Sequence, residues 1–392
     1  MIDVKRARAQ TPGVSEVIHF NNAGAGLMPQ CVLDAQKTYL DLEARLGGYE
    51  AADHESVRLE KVYDAIAQLI NCARDEVAVV ENATVGWDMA FYAMTFSPGD
   101  RILTAQAEYA ANYIAYLQVK QKTGAVVEVI PSLESGETSV EALQNMLDDH
   151  VKLISITHVP TNGGLVNPAE EIGKVARANG IPYLLDACQS VGQIALDVER
   201  IGCDMLSATG RKYLRGPRGT GFLYVRRSML ERLHPPMIDL LAATWTAPDT
   251  YELRPAARRF ENWETNMAAK IGLGTAVDYA LSWGLDDIES RLVALAHTLR
   301  EQLSDLPGFT VHDVGRRRCG IVSFSNESIP ASLLCARLGE AGINTTVSSR
   351  SSTLIDAMRR ELPDMVRASL HYYNDESEID RMIDVLKSSS NQ

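Results

Sequence analysis

The sequence predicts an α/β protein with a mostly parallel sheet, and two observations lead to that prediction. Short apolar runs, such as residues 181–185 and 221–225, recur along the chain and are bounded by glycine, proline or polar residues. Buried parallel strands have this character, whereas half-exposed strands alternate apolar and polar positions. Predicted helices lie between the runs, for example residues 139–149, and before them, where residues 32–46 carry apolar residues at helical spacing. Alternation of strands and helices favours a parallel sheet covered by helices.

The elements follow from this pattern in chain order. Strands are expected at 77–80, 100–104, 126–130, 152–157, 181–185, 203–206 and 221–225, and helices at 32–46, 56–70 and 139–149. A loop with Trp245 and Tyr251 then leads to a long amphipathic stretch at 267–306. Further strands at 309–312, 320–324 and near Ile343, a helix at 330–341 and a last helix complete the chain. A chain of 392 residues suits one large domain and a smaller one.

Composition excludes several classes of protein. Hydrophobic residues make up 46% and charged residues 23%, as in a soluble globular protein, and the formal net charge is −13. Nucleic-acid binding needs concentrated positive charge, so neither that partner nor an anionic membrane is expected. The six cysteines are far apart and form no metal-binding pattern, so we expect reduced thiols, no metal and a cytoplasmic enzyme. The N-terminus lacks the apolar core of a signal peptide.

An acid and an amine follow two of the predicted strands. Asp186 ends the run 181–185, and Lys212 follows the run 203–206 after the polar cluster 207–210. Ligands of α/β sheets bind beyond the carboxyl ends of strands, so the two side chains should converge on one crevice. Taken alone, such a pair would more often be a structural ion pair.

The surrounding sequence resembles a known family. The pattern Asp186-Ala187-Cys188-Gln189, then Thr209-Gly210-Arg211-Lys212-Tyr213 and a glycine-rich strand entry, resembles the pyridoxal-phosphate lysine region of the class V aminotransferases. The resemblance extends from Phe20 to the C-terminal helix. It implies fold type I of the pyridoxal-phosphate enzymes, with a mostly parallel seven-stranded sheet in a large domain at 20–284. It also implies a small α+β domain formed by 1–19 and 285–392, and a homodimer with active sites shared across the interface.

The resemblance also implies roles around the cofactor ring. Lys212 would carry pyridoxal phosphate as a Schiff base and take the substrate α-proton, and Asp186 would keep the pyridine nitrogen protonated. Tyr109, where the cysteine desulfurases of the family commonly have histidine, would stack on the ring. Gln189 would contact the phenolic oxygen. Thr161 or Asn162 fits a further contact to that oxygen and to the substrate, and the sequence leaves the choice open.

A second group of residues is expected to hold the cofactor phosphate. Ala83 and Thr84 follow a predicted strand at a helix start, where free backbone N–H groups can bind an anion. A plain helix cap at Asn82 or Thr84 is the alternative there. By resemblance, Thr209, Arg211 (commonly histidine in the family) and Thr265 of the other subunit complete the phosphate site.

The substrate side rests on the same resemblance. Arg367 is expected to bind the substrate α-carboxylate, because a guanidinium matches a carboxylate with two parallel hydrogen bonds. Asn22, Ala23 and Asn162 are expected to border the substrate, and Trp245, Tyr251 and Arg350 are weaker candidates.

The reaction predicted for this site is carbon–sulfur bond cleavage. Cysteine desulfurases of the family use a cysteine on a small-domain loop, and residues 344–353 contain none. The missing cysteine, together with a resemblance to the C–S lyases of the family, favours a lyase that expels sulfur from an S-substituted cysteine or its sulfoxide by β-elimination. A class V aminotransferase or an isopenicillin N epimerase-like enzyme is the first alternative, and a non-catalytic pyridoxal-phosphate-binding protein is the second.

Overall fold

The computed structural model describes residues 1–390 of the chain. The strands are β1 Ile18–His19, β2 Val77–Val80, β3 Arg101–Thr104, β4 Val126–Val129, β5 Val151–Thr157, β6 Tyr183–Asp186, β7 Met205–Thr209, β8 Gly221–Val225, β9 Ala243–Ala247, β10 Thr250–Leu253, β11 Phe309–Val311, β12 Ile321–Asn326, β13 Ile343–Asn344, β14 Thr346–Ser348 and β15 Met365–Ser369. The α-helices are α1 Val4–Ala9, α2 Gln30–Leu46, α3 Gly48–His54, α4 Ser56–Ile70, α5 Ala83–Phe91, α6 Ala110–Thr123, α7 Val140–Asn145, α8 Ala169–Ala178, α9 Val198–Ile201, α10 Met267–Trp283, α11 Leu285–Ser304, α12 Ala331–Glu340, α13 Leu354–Arg359 and α14 Glu376–Ser390.

The predicted seven-stranded, mostly parallel sheet is confirmed. Its strand order is β2-β8-β7-β6-β5-β3-β4. The five strands from β7 to β4 are parallel to their neighbours, and only β8 runs antiparallel, between β2 and β7. Every residue of β2, β6, β7 and β8 is buried, which explains the continuous apolar runs of β2 and β8.

Two predicted boundaries near the site are wrong. The strand expected at 203–206 is β7, which continues through Ser207 and Thr209, because their backbones pair with β8 and their short side chains are buried. The polar cluster 207–210 is therefore mostly strand. The helix expected at 139–149 is α7, which ends at Asn145.

The C-terminal part builds a second, antiparallel sheet. Its strand order is β11-β12-β15-β14, and β1 near the N-terminus pairs in parallel with β13 beside it. The division into domains at 20–284 stays a prediction.

The stretch 267–306 is two helices, because Gly284 adopts a φ of +81° between α10 and α11. The expected loop around Trp245 and Tyr251 is a β-hairpin of β9 and β10, whose two aromatic side chains are exposed.

Helix α10 is mostly buried, because it packs against both α2 and α4. Two glycines permit this approach. A Cβ at Gly274 would lie 2.8 Å from Val62 Cγ2, and a Cβ at Gly272 would lie 2.8 Å from Gln36 Cγ. None of the described helices is both long and apolar enough to cross a membrane.

Candidate active site

The sheet brings the predicted acid and amine to one edge. Strands β5, β6 and β7 are parallel and end at Thr157, Asp186 and Thr209, so these residues share the carboxyl edge of the sheet. Lys212 lies three residues beyond Thr209. Asp186 lies close enough to raise the pKa of Lys212. The structure therefore places both groups at the carboxyl edge of the sheet, where the sequence predicts a crevice.

The Lys212 amine is suited to covalent chemistry. It is partly buried, and the loss of hydration lowers its pKa, which nearby Arg211 and Arg367 lower further against the opposing effects of Cys188 and Asp186. Within residues 1–390 its Nζ atom donates no hydrogen bond. A desolvated amine that is not held in an ion pair has a larger neutral fraction and is a better nucleophile.

Lys212 also packs tightly against the glycine-rich loop 21–26. The backbone N–H of Gly26 donates to the Arg211 carbonyl at 2.8 Å. A Cβ at Gly26 would lie only 2.7 Å from the Lys212 carbonyl oxygen, so the loop can approach the lysine only with glycine there.

Asp186 is a buried carboxylate with no cation partner among residues 1–390. Its Oδ1 accepts a hydrogen bond from the backbone N–H of Cys188 and its Oδ2 accepts one from the Asn112 amide, both at 2.9 Å. The side chain is 5% exposed. A buried anion held by neutral donors is suited to bind a cationic group, such as a protonated pyridine ring.

Gln189, Thr161 and Arg367 form a chain across the site. The Gln189 amide donates to the Ala23 carbonyl at 3.1 Å and to the Thr161 hydroxyl at 3.3 Å, and its Oε1 atom is buried without a partner. Nη1 of Arg367 donates to the same Thr161 hydroxyl at 2.7 Å. An orphaned buried acceptor is costly, so it indicates a group that the protein alone does not supply.

Arg367 is buried on β15 with neutral partners only. Its guanidinium donates to Thr161 and, at 3.3 Å, to Oδ1 of Asn21, while its Nε atom is buried and unpaired. Burial lowers its pKa. No carboxylate within residues 1–390 forms an ion pair with it, so a substrate carboxylate could supply the missing charge.

The structure separates Thr161 from Asn162. The Thr161 hydroxyl lies between Gln189 and Arg367, whereas the Asn162 amide donates to the Ser349 carbonyl and the Thr353 hydroxyl. The geometry favours Thr161 for the contact to the cofactor oxygen that the sequence left open between the two residues. A substrate contact of Asn162 stays a prediction.

The other two pocket candidates are also buried. The Asn22 amide nitrogen donates to the carbonyls of His19 and Ser369, and its oxygen accepts from Tyr373. Ala23 contacts Gln189 through its carbonyl. Their roles beside a substrate remain predictions.

The predicted phosphate site lies at the start of α5. Asn82 is the helix cap, because its side chain accepts from the backbone N–H of Val85 at 3.0 Å. Ala83 and Thr84 are the first two helical residues, whose N–H groups have no partner within a helix. The first residue of β8, Gly221, passes so close that its Cβ would lie 3.0 Å from the Ala83 nitrogen. These N–H groups and the helix dipole fit a phosphate.

Three further residues are predicted to hold the phosphate. Thr209 is buried, and its hydroxyl has one long hydrogen bond, 3.4 Å to the Thr220 carbonyl. Arg211 donates through Nη1 to the Gly24 carbonyl at 2.8 Å. Thr265 is partly buried just before α10. Whether it reaches the site of a second subunit stays a prediction.

Tyr109 precedes α6 at the edge of the site. Its ring is 39% exposed, while its backbone N–H donates to the carboxylate of Glu108. Stacking of this ring on the cofactor stays a prediction.

No role was predicted from the sequence for Glu108 and Asn112. The Asn112 amide donates a hydrogen bond to Oε1 of Glu108 at 2.9 Å. The available signal was their spacing of four residues across a helix start directly after a strand.

The fold and these residues together define a pyridoxal-phosphate enzyme of fold type I. The chain belongs to the class V aminotransferase family, whose model ("Aminotransferase class-V") matches residues 18–382. Pyridoxal phosphate is the cofactor. Three groups fit it, namely the Lys212 amine with its lowered pKa, the Asp186 carboxylate, which has no cation partner among residues 1–390, and the Gln189 oxygen, which has no hydrogen-bond partner there.

Known proteins similar to the chain include several named as cysteine desulfurases. A probable cysteine desulfurase of Xylella fastidiosa (strain Temecula1) is 30% identical over 98% of this chain and 95% of its own length. The cysteine desulfurase of Haloferax volcanii is 28% identical over 96% and 91%.

Solved structures show the same fold. The apo cysteine desulfurase of Thermococcus onnurineus superimposes with a TM-score of 0.92 at 25% identity, over 100% of this chain and 99% of that one. The cystine C–S lyase C-DES, solved with its product cysteine persulfide, gives 0.87 at 23% identity, over 96% and 99%.

Proposed function

We propose that this protein is a C–S lyase that removes the sulfur substituent from an S-substituted cysteine, or its sulfoxide, by β-elimination. The observation that carries the proposal is the segment 344–353, where the resemblance places the desulfurase nucleophile. It consists of β14 and a 3-10 turn, and it offers hydroxyls from serine and threonine instead of a thiol. A lyase that expels sulfur as a leaving group needs no such thiol.

The cysteines elsewhere in the chain support this proposal. Burial raises the pKa of all six thiols. Cys188 lies beside Asp186, and both burial and that carboxylate favour its neutral thiol. Since the thiolate is the nucleophile, none of the six is set up to attack a substrate sulfur.

The residues of the site can perform the elimination. Arg367 binds the α-carboxylate of the substrate and fixes its orientation. Bound pyridoxal phosphate supplies an electron sink that acidifies the α-carbon. The neutral amine of Lys212 then accepts the α-proton on Nζ, the Cβ–S bond breaks, and the sulfur leaves with its electron pair. Asp186 would keep the pyridine nitrogen protonated, and hydrolysis of the remaining fragment gives pyruvate and ammonia.

A cysteine desulfurase is the second candidate, because similar proteins reported above are named so. That reaction would leave the sulfur on the enzyme as a persulfide, which here would require one of the six thiols whose pKa is raised by burial. Amine transfer or epimerisation uses the same residues and differs in the fate of the α-carbon.

One assay separates these reactions. Purified protein is incubated with S-alkylcysteines, their sulfoxides, cystine and free cysteine, and pyruvate, ammonia, thiol and protein-bound persulfide are measured. The proposal predicts equal amounts of pyruvate, ammonia and the released sulfur compound, which is a thiol from an S-alkylcysteine, a sulfenate from a sulfoxide and cysteine persulfide from cystine. Alanine and a protein persulfide would instead identify a desulfurase, and a keto acid formed only with an amino acceptor would identify an aminotransferase.

Two cysteine variants test the role of thiols in the same assay. Cys188→Ser and Cys335→Ser should retain lyase activity within about twofold, since no thiol takes part in the elimination. A loss of more than a hundredfold in either variant would contradict the proposal.

We also infer that the enzyme is a cytoplasmic homodimer. The acidic composition and dispersed cysteines support the compartment. Exposed apolar side chains support the dimer, namely Met237, Leu240, Trp245, Tyr251 and Trp263.

A further inference from the structure

A buried carboxylate that has no part in the reaction above lies behind the cofactor site. Glu108 follows β3 and immediately precedes Tyr109, and it is 3% exposed. Within residues 1–390 it has no cation partner. A buried acid without a cation must be held by other donors, and its contacts therefore indicate its role.

Five donors converge on Glu108. Its Oε1 accepts from the backbone N–H of Tyr109, from the Asn112 amide and from the Thr157 hydroxyl. Its Oε2 accepts from the Thr104 hydroxyl at 2.9 Å and from the backbone N–H of Thr157 at 3.0 Å. These donors come from β3, β5 and α6, so one carboxylate joins the ends of two strands to the start of a helix.

The Asn112 amide transmits this arrangement to Asp186. Its Nδ2 donates to Oε1 of Glu108 and to Oδ2 of Asp186, both at 2.9 Å. An amide nitrogen has two hydrogens, so both are used. The second oxygen of Asp186 is fixed by the Cys188 backbone. The plane of the Asp186 carboxylate is thus set from two sides.

A second route leads from Glu108 to Tyr109. The backbone N–H of Tyr109 donates to Oε1 of Glu108 at 2.9 Å, at the residue that precedes α6. This contact fixes the point from which the exposed tyrosine ring extends.

We propose that Glu108 is a positioning residue that orients Asp186 through Asn112 and places Tyr109 through its backbone. The proposal rests on the cofactor roles of those two residues. One buried side chain would then align the group at the ring nitrogen with the group that covers the ring face.

The negative charge of Glu108 also influences the protonation of nearby groups, which its hydrogen bonds alone would not do. Burial is the largest influence on its pKa and raises it to about 7, and the nearby Asp186 adds to the rise. Other titratable groups near this cluster are Tyr116, whose hydroxyl donates to Ser155, and Lys212, whose pKa is lowered by burial against the opposing effect of Asp186. An anion at Glu108 favours protonated groups nearby, and its removal disfavours them.

The variant Glu108→Gln tests the proposal. Gln keeps the size of the side chain but offers one acceptor oxygen for five donors and no charge. We expect the affinity for added pyridoxal phosphate to fall roughly tenfold. The pH midpoint of the visible absorption band of the bound cofactor should move down by about one unit, because a nearby negative charge is lost.

Glu76→Gln is the matched control. Glu76 is also buried and also accepts from backbone N–H groups, those of Ala73 and Arg227. It precedes β2 beside the end of β8, at the opposite edge of the sheet from Asp186. Its variant should lower the thermal midpoint of the apoprotein and leave the cofactor affinity and the pH midpoint unchanged.

Glu108→Gln with the cofactor affinity and pH midpoint of the unmodified protein would overturn the proposal, whatever its thermal stability. If that variant does not fold, Asn112→Ala carries the test, since it removes the link to Asp186 and leaves the Tyr109 contact. Cofactor affinity within twofold of the unmodified protein would then refute the route through Asn112. The spectral readout needs no substrate, so a failed lyase assay leaves this result standing, and the reverse also holds.

Discussion

Arg367 shows what a single residue contributes to this site. Its guanidinium is buried, donates only to neutral oxygens and retains an unpaired Nε atom. A buried cation in this state gains from an incoming carboxylate more than an exposed arginine would, because little water has to be displaced. The affinity for the substrate α-carboxylate should therefore depend strongly on this side chain.

Replacing Arg367 with lysine tests this expectation. Lysine keeps the charge and loses the planar fork, so kcat/KM for an S-substituted cysteine should fall roughly 30-fold, equivalent to about 2 kcal/mol. The visible spectrum of the bound cofactor should persist. Arg381→Lys, at an exposed position on α14, is the control and should be neutral. Unchanged kinetics in the Arg367 variant would show that the carboxylate binds elsewhere.

At the scale of elements, β8 and α5 show why the phosphate site depends on close packing. The first residue of β8 is Gly221, and a Cβ there would lie 2.6 Å from the Ala208 carbonyl oxygen and 2.9 Å from the Asn82 carbonyl carbon. Both neighbours are backbone atoms, so neither can rotate away.

Gly221→Ala should therefore displace the start of α5. We expect a loss of about 2 kcal/mol in the free energy of unfolding and weaker retention of cofactor through its phosphate. Denaturant unfolding and dialysis against phosphate buffer measure the two effects. Gly339→Ala is the control, because its helical position on α12 has open space and alanine should stabilise it slightly. Equal behaviour of the two variants would contradict the role of this contact.

The sequence predicted the strands that form the edge of the site but not all of their ends. Apolar runs at 77–80 and 221–225 match β2 and β8, since burial on both faces leaves a clear signal. The end of β7 was missed because Ser207 and Thr209 are polar residues inside a strand, where they pair with β8. The hairpin at 243–253 was missed because its exposed aromatics lack a buried face.

The same limit applies to the candidate site. Lys212 and Asp186 were predicted from a motif, and their positions follow from parallel strand order. The contacts of Glu108, Asn112 and Asn162 join segments far apart in the chain, and only the folded structure brings these together. Their amides and carboxylates carry no pattern that identifies the partner in advance.

At the scale of the whole molecule, the free energy of unfolding at acidic pH should depend on a buried neutral histidine. His158 is 3% exposed, and burial lowers its pKa to about 3. The unfolded chain binds a proton near its usual pKa of about 6.5, so stability is lost as pH falls through the window from 6.5 to 3. Between pH 7 and pH 5 this one group should cost about 2 kcal/mol.

Comparison with His158→Asn isolates that contribution. The variant should lose about 2 kcal/mol less than the unmodified protein between pH 7 and pH 5, measured by denaturant unfolding at each pH. His297→Asn, at an exposed position on α11, should show the full loss. The same pH dependence in all three proteins would mean that His158 can be protonated in the folded state.

Shared active sites should be visible by mixing inactive subunits. Lys212→Ala lacks the amine, and Thr265→Val lacks the hydroxyl proposed to reach the partner. Each homodimer should be nearly inactive, whereas refolding an equal mixture should restore about a quarter of the activity, because half the dimers are mixed and each holds one complete site. Two copies of the same variant mixed together are the control. No recovery would place Thr265 outside the partner's site.

The most direct test of the whole account locates the cofactor on the chain. The protein is loaded with pyridoxal phosphate, reduced with borohydride, digested and mapped by mass spectrometry. The account predicts one stoichiometric label on Lys212. Lys270, the internal comparison, is also buried with a lowered pKa, but it donates to the Tyr63 hydroxyl at 2.6 Å and should stay unlabelled. A label on Lys270, or no label at all, would contradict the account.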